Sequence, residues 1–186
     1  VTFPGDVTLA AILQPDRRGD WDTAMVAVTT LGEWWVIGLA ACTLVFLFYV
    51  LRKRSEFYAM IFSVLSSIGV VALLKEVVGR PRPAESMVWV WRDYSGPSFP
   101  SGHATLAMLF FGLLFYIAPN LTKSHWAQRA IKTSSVIIII AIGLSRIYLG
   151  AHWPSDVVGG YLIGGLFLML LIAFLKWRKD SKCASV

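Results

Sequence analysis

Five long apolar stretches leave this chain few folds to choose from. They fall at roughly residues 32–51, 57–78, 103–118, 131–149 and 155–175, close to the ~20 residues that an α-helix needs to cross a bilayer. Hydrocarbon offers no water to backbone N–H and C=O groups, so such a segment crosses as a helix. Hydrophobic residues make up 56% of the 186 residues and charged ones only 15%, a balance that excludes an ordinary soluble domain. The implied fold is all-α, a polytopic transmembrane helical bundle in contact with the lipid bilayer. Residues 1–31 read as an amino-terminal extracytoplasmic or interfacial segment, in which 6–30 form an interfacial helix with Trp21 at the headgroup level. Residues 32–175 read as the transmembrane domain, and 176–186 as a basic tail.

The formal net charge of +6 could suggest a nucleic-acid partner, but its distribution argues against one. Arg52-Lys53-Arg54 separates the first two stretches. Lys123, Arg129 and Lys132 lie around the connection between the third and fourth, and Lys176, Arg178, Lys179 and Lys182 follow the fifth. These are alternate connections, which the positive-inside rule places in the cytoplasm. The carboxyl end is then cytoplasmic and residue 1 outside. Because Val1 is not an initiator methionine, the expectation is an earlier membrane helix or a fused domain ahead of it, giving six spans. Cys42 and Cys183 fall mid-span and in the tail, so no disulfide is expected.

Three polar clusters interrupt the apolar pattern. They are Lys75 with Arg82-Pro83, then Pro100-Ser101-Gly102-His103, then Ser145-Arg146 followed by His152 and Asp156. Ionisable groups at membrane depth are expensive and mark function. With the basic loops inside, all three clusters reach the extracytoplasmic face. Lys75, Arg82 and Arg146 supply cations suited to phosphate oxygens. Ser101 and Gly102 open a helix, where backbone N–H groups favour an anion. His152 and Asp156 lie four apart, so a helical turn can bring the carboxylate to one ring nitrogen and leave the other to attack. His103 is placed to protonate a leaving oxygen. No run of carboxylates suits a hard metal ion, so neither metal nor cofactor is expected.

These residues carry a resemblance. Lys75-x6-Arg82-Pro83, Pro100-Ser101-Gly102-His103 and Ser145-Arg146-x5-His152-x3-Asp156 resemble the three-part signature of the type 2 phosphatidic acid phosphatase (PAP2) superfamily, in order and with every motif position filled. The resemblance implies a membrane lipid phosphatase in which His152 forms a phosphohistidine, Asp156 orients it and His103 protonates the departing lipid oxygen. Lys75, Arg82, Ser101, Gly102 and Arg146 would bind the phosphoryl oxygens. The implied substrate is a lipid phosphate or diphosphate, such as undecaprenyl diphosphate, phosphatidylglycerophosphate or phosphatidate. Transfer of the phosphoryl group to a second lipid, and a non-catalytic lipid-phosphate binding or transport module, are the competing functions.

Several residues also have plainer readings. Arg80, beside the first motif, reads as a snorkelling cation at a helix end. His125 reads as solvated. Trp34, Trp35, Trp89, Trp91, Trp126, Trp153 and Trp177 read mostly as an interfacial aromatic belt. Gly159-Gly160 and Gly164-Gly165 read as packing positions within the monomer. The loop 84–99 is either a cover over the headgroup or an ordinary solvent loop.

Overall fold

The computed structural model describes residues 2–14 and 19–183, and is helical with no strand among them. The helices are α1 (Asp6–Leu13), α2 (Gly19–Thr30), α3 (Trp34–Val50), α4 (Arg54–Val78), α5 (Gly102–Leu121), α6 (His125–Tyr148) and α7 (Pro154–Cys183). Val1 and the side chains of Lys182 and Cys183 lie outside the described residues; Cys42 is exposed. Among the described residues, four helices are long and apolar enough to cross a membrane: Arg54–Val78, Gly102–Leu121, His125–Tyr148 and Pro154–Lys179. Trp21–Thr30 and Trp34–Val50, bent by 43° at the break between them, could form a fifth span together.

Local chemistry sets most of the helix ends. Ser101 and Ser124 cap α5 and α6, their hydroxyls accepting from the N–H groups of Ala104 and Ala127, the preferred capping arrangement. Pro154 begins α7, where a missing N–H costs nothing. Gly79 ends α4 in the left-handed conformation (φ 57°), which glycine adopts without a Cβ penalty. The helices outrun several of the apolar stretches. α4 starts at Arg54 and α6 at His125, because polar residues extend a helix readily once it reaches water. α5 runs through Pro119 to Leu121 instead of stopping there; in the last turn the proline removes only one helical bond, and the Asn120 side chain is tied to Glu56 across the bundle.

α5 is the central helix, packed by α4, α6 and α7. Ile37 and Phe48 of α3, Met60 of α4, Leu113 and Ile117 of α5 and Leu171 of α7 form the main buried core. Outward positions such as Phe46, Leu65, Val77, Leu162 and Met169 stay exposed and apolar, as surfaces facing acyl chains require. α7 approaches α5 through glycines: a Cβ on Gly160 would lie 2.8 Å from the Ser101 carbonyl oxygen, and one on Gly164 would lie 2.9 Å from that of Thr105. These are contacts within the monomer, as the small-residue spacing implied.

Residues 6–30 do not form one interfacial helix. α1 packs on α6 and α7, α2 packs on α6, and the turn Leu31–Gly32–Glu33 redirects the chain into α3. A Cβ on Gly32 would meet Ile142 at 2.8 Å and the His103 ring at 3.0 Å. The bend therefore lies directly against a motif histidine.

Candidate active site

The ends of α4 and α6 and the starts of α5 and α7 meet at one pole of the bundle. Lys75 Nζ donates to the Pro97 carbonyl (2.8 Å), and the Ser101 N–H donates to the Asp156 carbonyl (3.0 Å). Arg82 donates from Nε to the carbonyls of Ser95 (3.2 Å) and Gly96 (3.0 Å), and from Nη1 to that of Ala151 (2.7 Å). The same Nη1 lies 3.4 Å from His152 Nε2. Arg146 Nη1 donates to Thr29 Oγ1 (2.8 Å). The guanidinium carbons of Arg82 and Arg146 stand 5.6 and 5.3 Å from the centre of the Tyr94 ring. All eight sequence-nominated residues occupy one region, and Lys75, Arg82, Arg146 and Asp156 contact the loop 84–99, which is no ordinary solvent loop. Ser98 in it is fully buried.

Ser101 also has a structural part. Its N–H donates to the Asp156 carbonyl and its Oγ accepts from the Ala104 N–H, so it fastens α5 to α7 while its hydroxyl still has a proton to donate. Gly102 and His103 instead line a cavity of about 330 Å³ with Lys75. Trp34, Ile68, Val71 and Leu106 supply its apolar flank between α3, α4 and α5, and Trp34 and Ile68 are themselves exposed at the bundle surface.

His152 is buried in the turn between α6 and α7. Gly150 makes that turn possible: its φ is 65°, and a Cβ there would lie 2.1 Å from the Trp89 carbonyl oxygen. His152 Nδ1 faces Asp156 Oδ2 at 3.6 Å, just beyond hydrogen-bond length. Burial pushes the imidazole down to about 3; Asp156 opposes this, and the charges of Arg146 and Arg82 add to it. The ring is therefore neutral at physiological pH. Asp156 Oδ2 accepts from the Trp153 N–H (2.9 Å) and from Ser98 Oγ, and Oδ1 accepts from Arg80. The Trp153 bond is a first-turn cap on α7, so one carboxylate both starts the helix and faces the histidine.

Three buried side-chain atoms lack a hydrogen-bond partner among the described residues: His103 Nε2, Arg146 Nε and His152 Nδ1. All three belong to the motif residues. Buried polar atoms are almost always paired; His152 Nδ1 and His103 Nε2 face Asp156 and Glu33 just beyond hydrogen-bond length, at 3.6 and 3.5 Å.

Some participants were missed or misread in the sequence. Arg80 is no snorkelling cation; it is buried and bonded to both Asp6 and Asp156. Trp153 is not a belt residue but is buried, its Nε1 donating to the Pro81 carbonyl (3.3 Å). Glu33 Oε1 lies 3.5 Å from His103 Nε2 and 3.9 Å from Arg92. Thr29, Tyr94 and Ser98 were also unmarked, and none stands in a recognisable pattern. His125 is exposed at the opposite pole, as expected.

A family model for the PAP2 superfamily matches residues 56–180, and the chain belongs to that superfamily. It is 32% identical over 120 residues to a lipid A 1-phosphatase of Rhizobium etli, covering 60% of this chain and 47% of that protein. It is 27% identical over 171 residues to an undecaprenyl-diphosphatase of Sulfolobus acidocaldarius, covering 90% of this chain and 77% of the relative. The chain thus spans about half the length of the lipid A phosphatase it matches. The fold is that of a PAP2-type phosphatidylglycerolphosphate phosphatase crystal structure from Bacillus subtilis, with a TM-score of 0.82 at 23% identity, covering 91% of this chain and 84% of that one.

Proposed function

We propose that this protein is an integral-membrane lipid phosphatase that hydrolyses a lipid phosphate or diphosphate through a phosphohistidine on His152. The observation that carries the reading is the convergence of Lys75, Arg82, Arg146 and both histidines at one pole, beside a cavity lined by Lys75 and His103 and walled on one side by apolar residues. A polar headgroup fits the first feature and acyl or prenyl chains fit the second. Relatives named as lipid A, phosphatidylglycerophosphate and undecaprenyl-diphosphate phosphatases support the same substrate class.

In this mechanism Lys75, Arg82 and Arg146 hold the phosphoryl oxygens, with Ser101 and Gly102 at the start of α5. His152 Nε2, beside Arg82, attacks phosphorus; the P–N bond forms as the bond to the leaving oxygen breaks, the ester oxygen of a monophosphate or the bridging oxygen of a diphosphate. His103 gives that oxygen its proton. Asp156 holds the Nδ1 side of His152 and stabilises the positive charge that develops. A water, deprotonated by His103, then attacks phosphorus, breaks the P–N bond and releases inorganic phosphate. Charge accumulating on the phosphoryl oxygens meets cations already in position, where electrostatic stabilisation is most effective. The cations and the histidine nucleophile together provide what a metal ion would otherwise supply, so the reaction runs without one.

The site lies at the extracytoplasmic face of the cell membrane and the carboxyl end in the cytoplasm. Supporting this, Lys53, Lys123, Arg178 and Lys179 group at the opposite pole from the motif residues, consistent with the positive-inside rule. Phosphate release by wild type and His152→Ala in EDTA, over undecaprenyl diphosphate, phosphatidylglycerophosphate, phosphatidate and a soluble sugar phosphate, tests the reading. Release from at least one lipid by wild type alone is expected. Undiminished release by His152→Ala would sink the phosphohistidine, and loss of wild-type activity in EDTA would sink metal independence.

A further inference from the structure

Behind the His152–Asp156 pair runs a chain of buried charges that the motifs do not include. Arg80 Nη1 donates to Asp156 Oδ1 and to Ser155 Oγ (2.7 Å), and Nη2 donates to Asp6 Oδ2 (2.6 Å). Asp6, the first residue of α1, also accepts from the Ser155 N–H (3.0 Å), Ser155 Oγ (2.8 Å) and the Phe3 N–H (3.0 Å). The Phe3 ring stacks on the guanidinium at 5.0 Å, and the Arg80 carbonyl accepts from the Ser98 N–H (2.7 Å). Arg80, Asp6 and Asp156 are all buried. Burial raises the Asp6 carboxyl, but hydrogen bonds from Ser155, Arg80 and Phe3 outweigh it and hold the group below its ordinary value, so it is ionised.

We propose that Arg80 and Asp6 are positioning residues for the His152–Asp156 pair: the buried Asp6–Arg80–Asp156 chain fixes the catalytic carboxylate at the Nδ1 side of His152 and offsets part of its charge. The proposal rests on the phosphohistidine reading and deepens it.

The reasoning is electrostatic. A carboxylate facing an imidazole favours its protonated form, although burial keeps His152 neutral here. With a guanidinium on its far oxygen, the carboxylate still orients Nδ1 but favours the proton less. A guanidinium would in turn pull strongly on Asp156 unless it had a second anion, and Asp6 is that anion. Only a planar fork reaches two carboxylates and a hydroxyl at once, so lysine cannot replace Arg80. The other charges acting on His152 are Asp156 itself, Arg82 and Arg146, and Lys75 also acts on Asp156. The test substitutions leave all of these in place.

The chain has three histidines, so the imidazole ¹⁵N titration of His152 in detergent can be assigned by its disappearance in His152→Gln. In Arg80→Gln the His152 midpoint should rise by about 1 pH unit, the scale expected when a close charge is lost. In Asp6→Asn it should not rise, and the double variant should fall back toward wild type because the surplus anion is gone. With dioctanoyl phosphatidate as probe, Arg80→Gln should lose kcat on the order of tenfold, because Asp156 and His152 are held less firmly, with KM nearly unchanged. An unmoved midpoint in folded Arg80→Gln would overturn the proposal. If that variant does not fold, the isosteric Asp6→Asn decides: a several-fold fall in kcat at unchanged KM supports the chain, and wild-type kcat overturns it. Activity surviving in His152→Ala would refute the phosphohistidine instead, while the titration still judges whether Arg80 governs His152.

Discussion

Gly160 and Gly165 sit on the same helix yet should respond oppositely to the same methyl group. A Cβ at Gly160 would lie 2.8 Å from the Ser101 carbonyl oxygen, 3.0 Å from Ala104 Cβ and 3.1 Å from Thr105 Oγ1. These atoms form the first turn of α5, and the Ser101 carbonyl already accepts from Thr105, so it cannot swing aside. At Gly165 the new atom would meet only the flexible end of Met108, at 3.4 Å. Both substitutions gain the same helix propensity, about 0.5–1 kcal/mol. That gain cancels in the comparison and leaves the steric cost, about 1–3 kcal/mol for overpacking a tight contact. Relief requires α7 to move from α5 by roughly half an ångström, carrying Asp156 away from Ser101 and the helix end behind His103. Since a 1 Å misplacement of reacting groups can cost about 100-fold, kcat in Gly160→Ala should fall about tenfold. Thermal unfolding in detergent and phosphate release by the two purified variants measure both effects. Equal stability and equal kcat in Gly160→Ala and Gly165→Ala would show that the close approach of α7 to α5 does not set the site geometry.

Glu33→Gln should lower kcat several-fold, because His103 loses the carboxylate 3.5 Å from its Nε2 that would stabilise its protonated form; wild-type kcat would show that His103 acts without it. The His152 midpoint of about 3, down from the ordinary 6.5, fixes the sign of one pH effect. The nucleophile is lost only as pH falls through about 3, so His152 should impose no acid limb near 6.5 on kcat/KM, which reports the free enzyme. An acid limb near 6.5 that persists in His103→Gln would contradict this.

The motif residues were legible because each is an expensive group in an apolar surrounding. Lys75, Arg82, His103, Arg146, His152 and Asp156 interrupt stretches that otherwise match hydrocarbon, and topology from basic loops elsewhere brought them to one pole. The spans of α4 to α7 were legible for a related reason: their composition is set by the membrane, independently of neighbours. Their exact ends were not, since apolar residues stop at the membrane boundary while the helices continue past it, as α4 and α6 do into Arg54 and His125. The α2–α3 bend escaped the hydropathy reading because Leu31, Gly32 and Glu33 mark no strong break; what bends the chain is close packing of Gly32 against His103 and Ile142.

Arg80 shows where sequence reasoning reaches its limit. A cation at the end of an apolar stretch has the same local signature whether it reaches for water or is buried on carboxylates. The difference here is made by Asp6, 74 positions away, on a short helix with no pattern linking it to the motifs. Burying a guanidinium is tolerable only with its charge paired and its donors satisfied, and two carboxylates and a hydroxyl from α1 and α7 meet that requirement. The amino-terminal helix is therefore fastened to the catalytic pole by polar contacts that a count of apolar residues cannot register. It follows that Arg80→Leu, which keeps the bulk but leaves Asp6 and Asp156 as two unpaired buried anions, should be more damaging than Arg80→Leu combined with Asp6→Asn. Purely apolar docking of α1 would predict the reverse order.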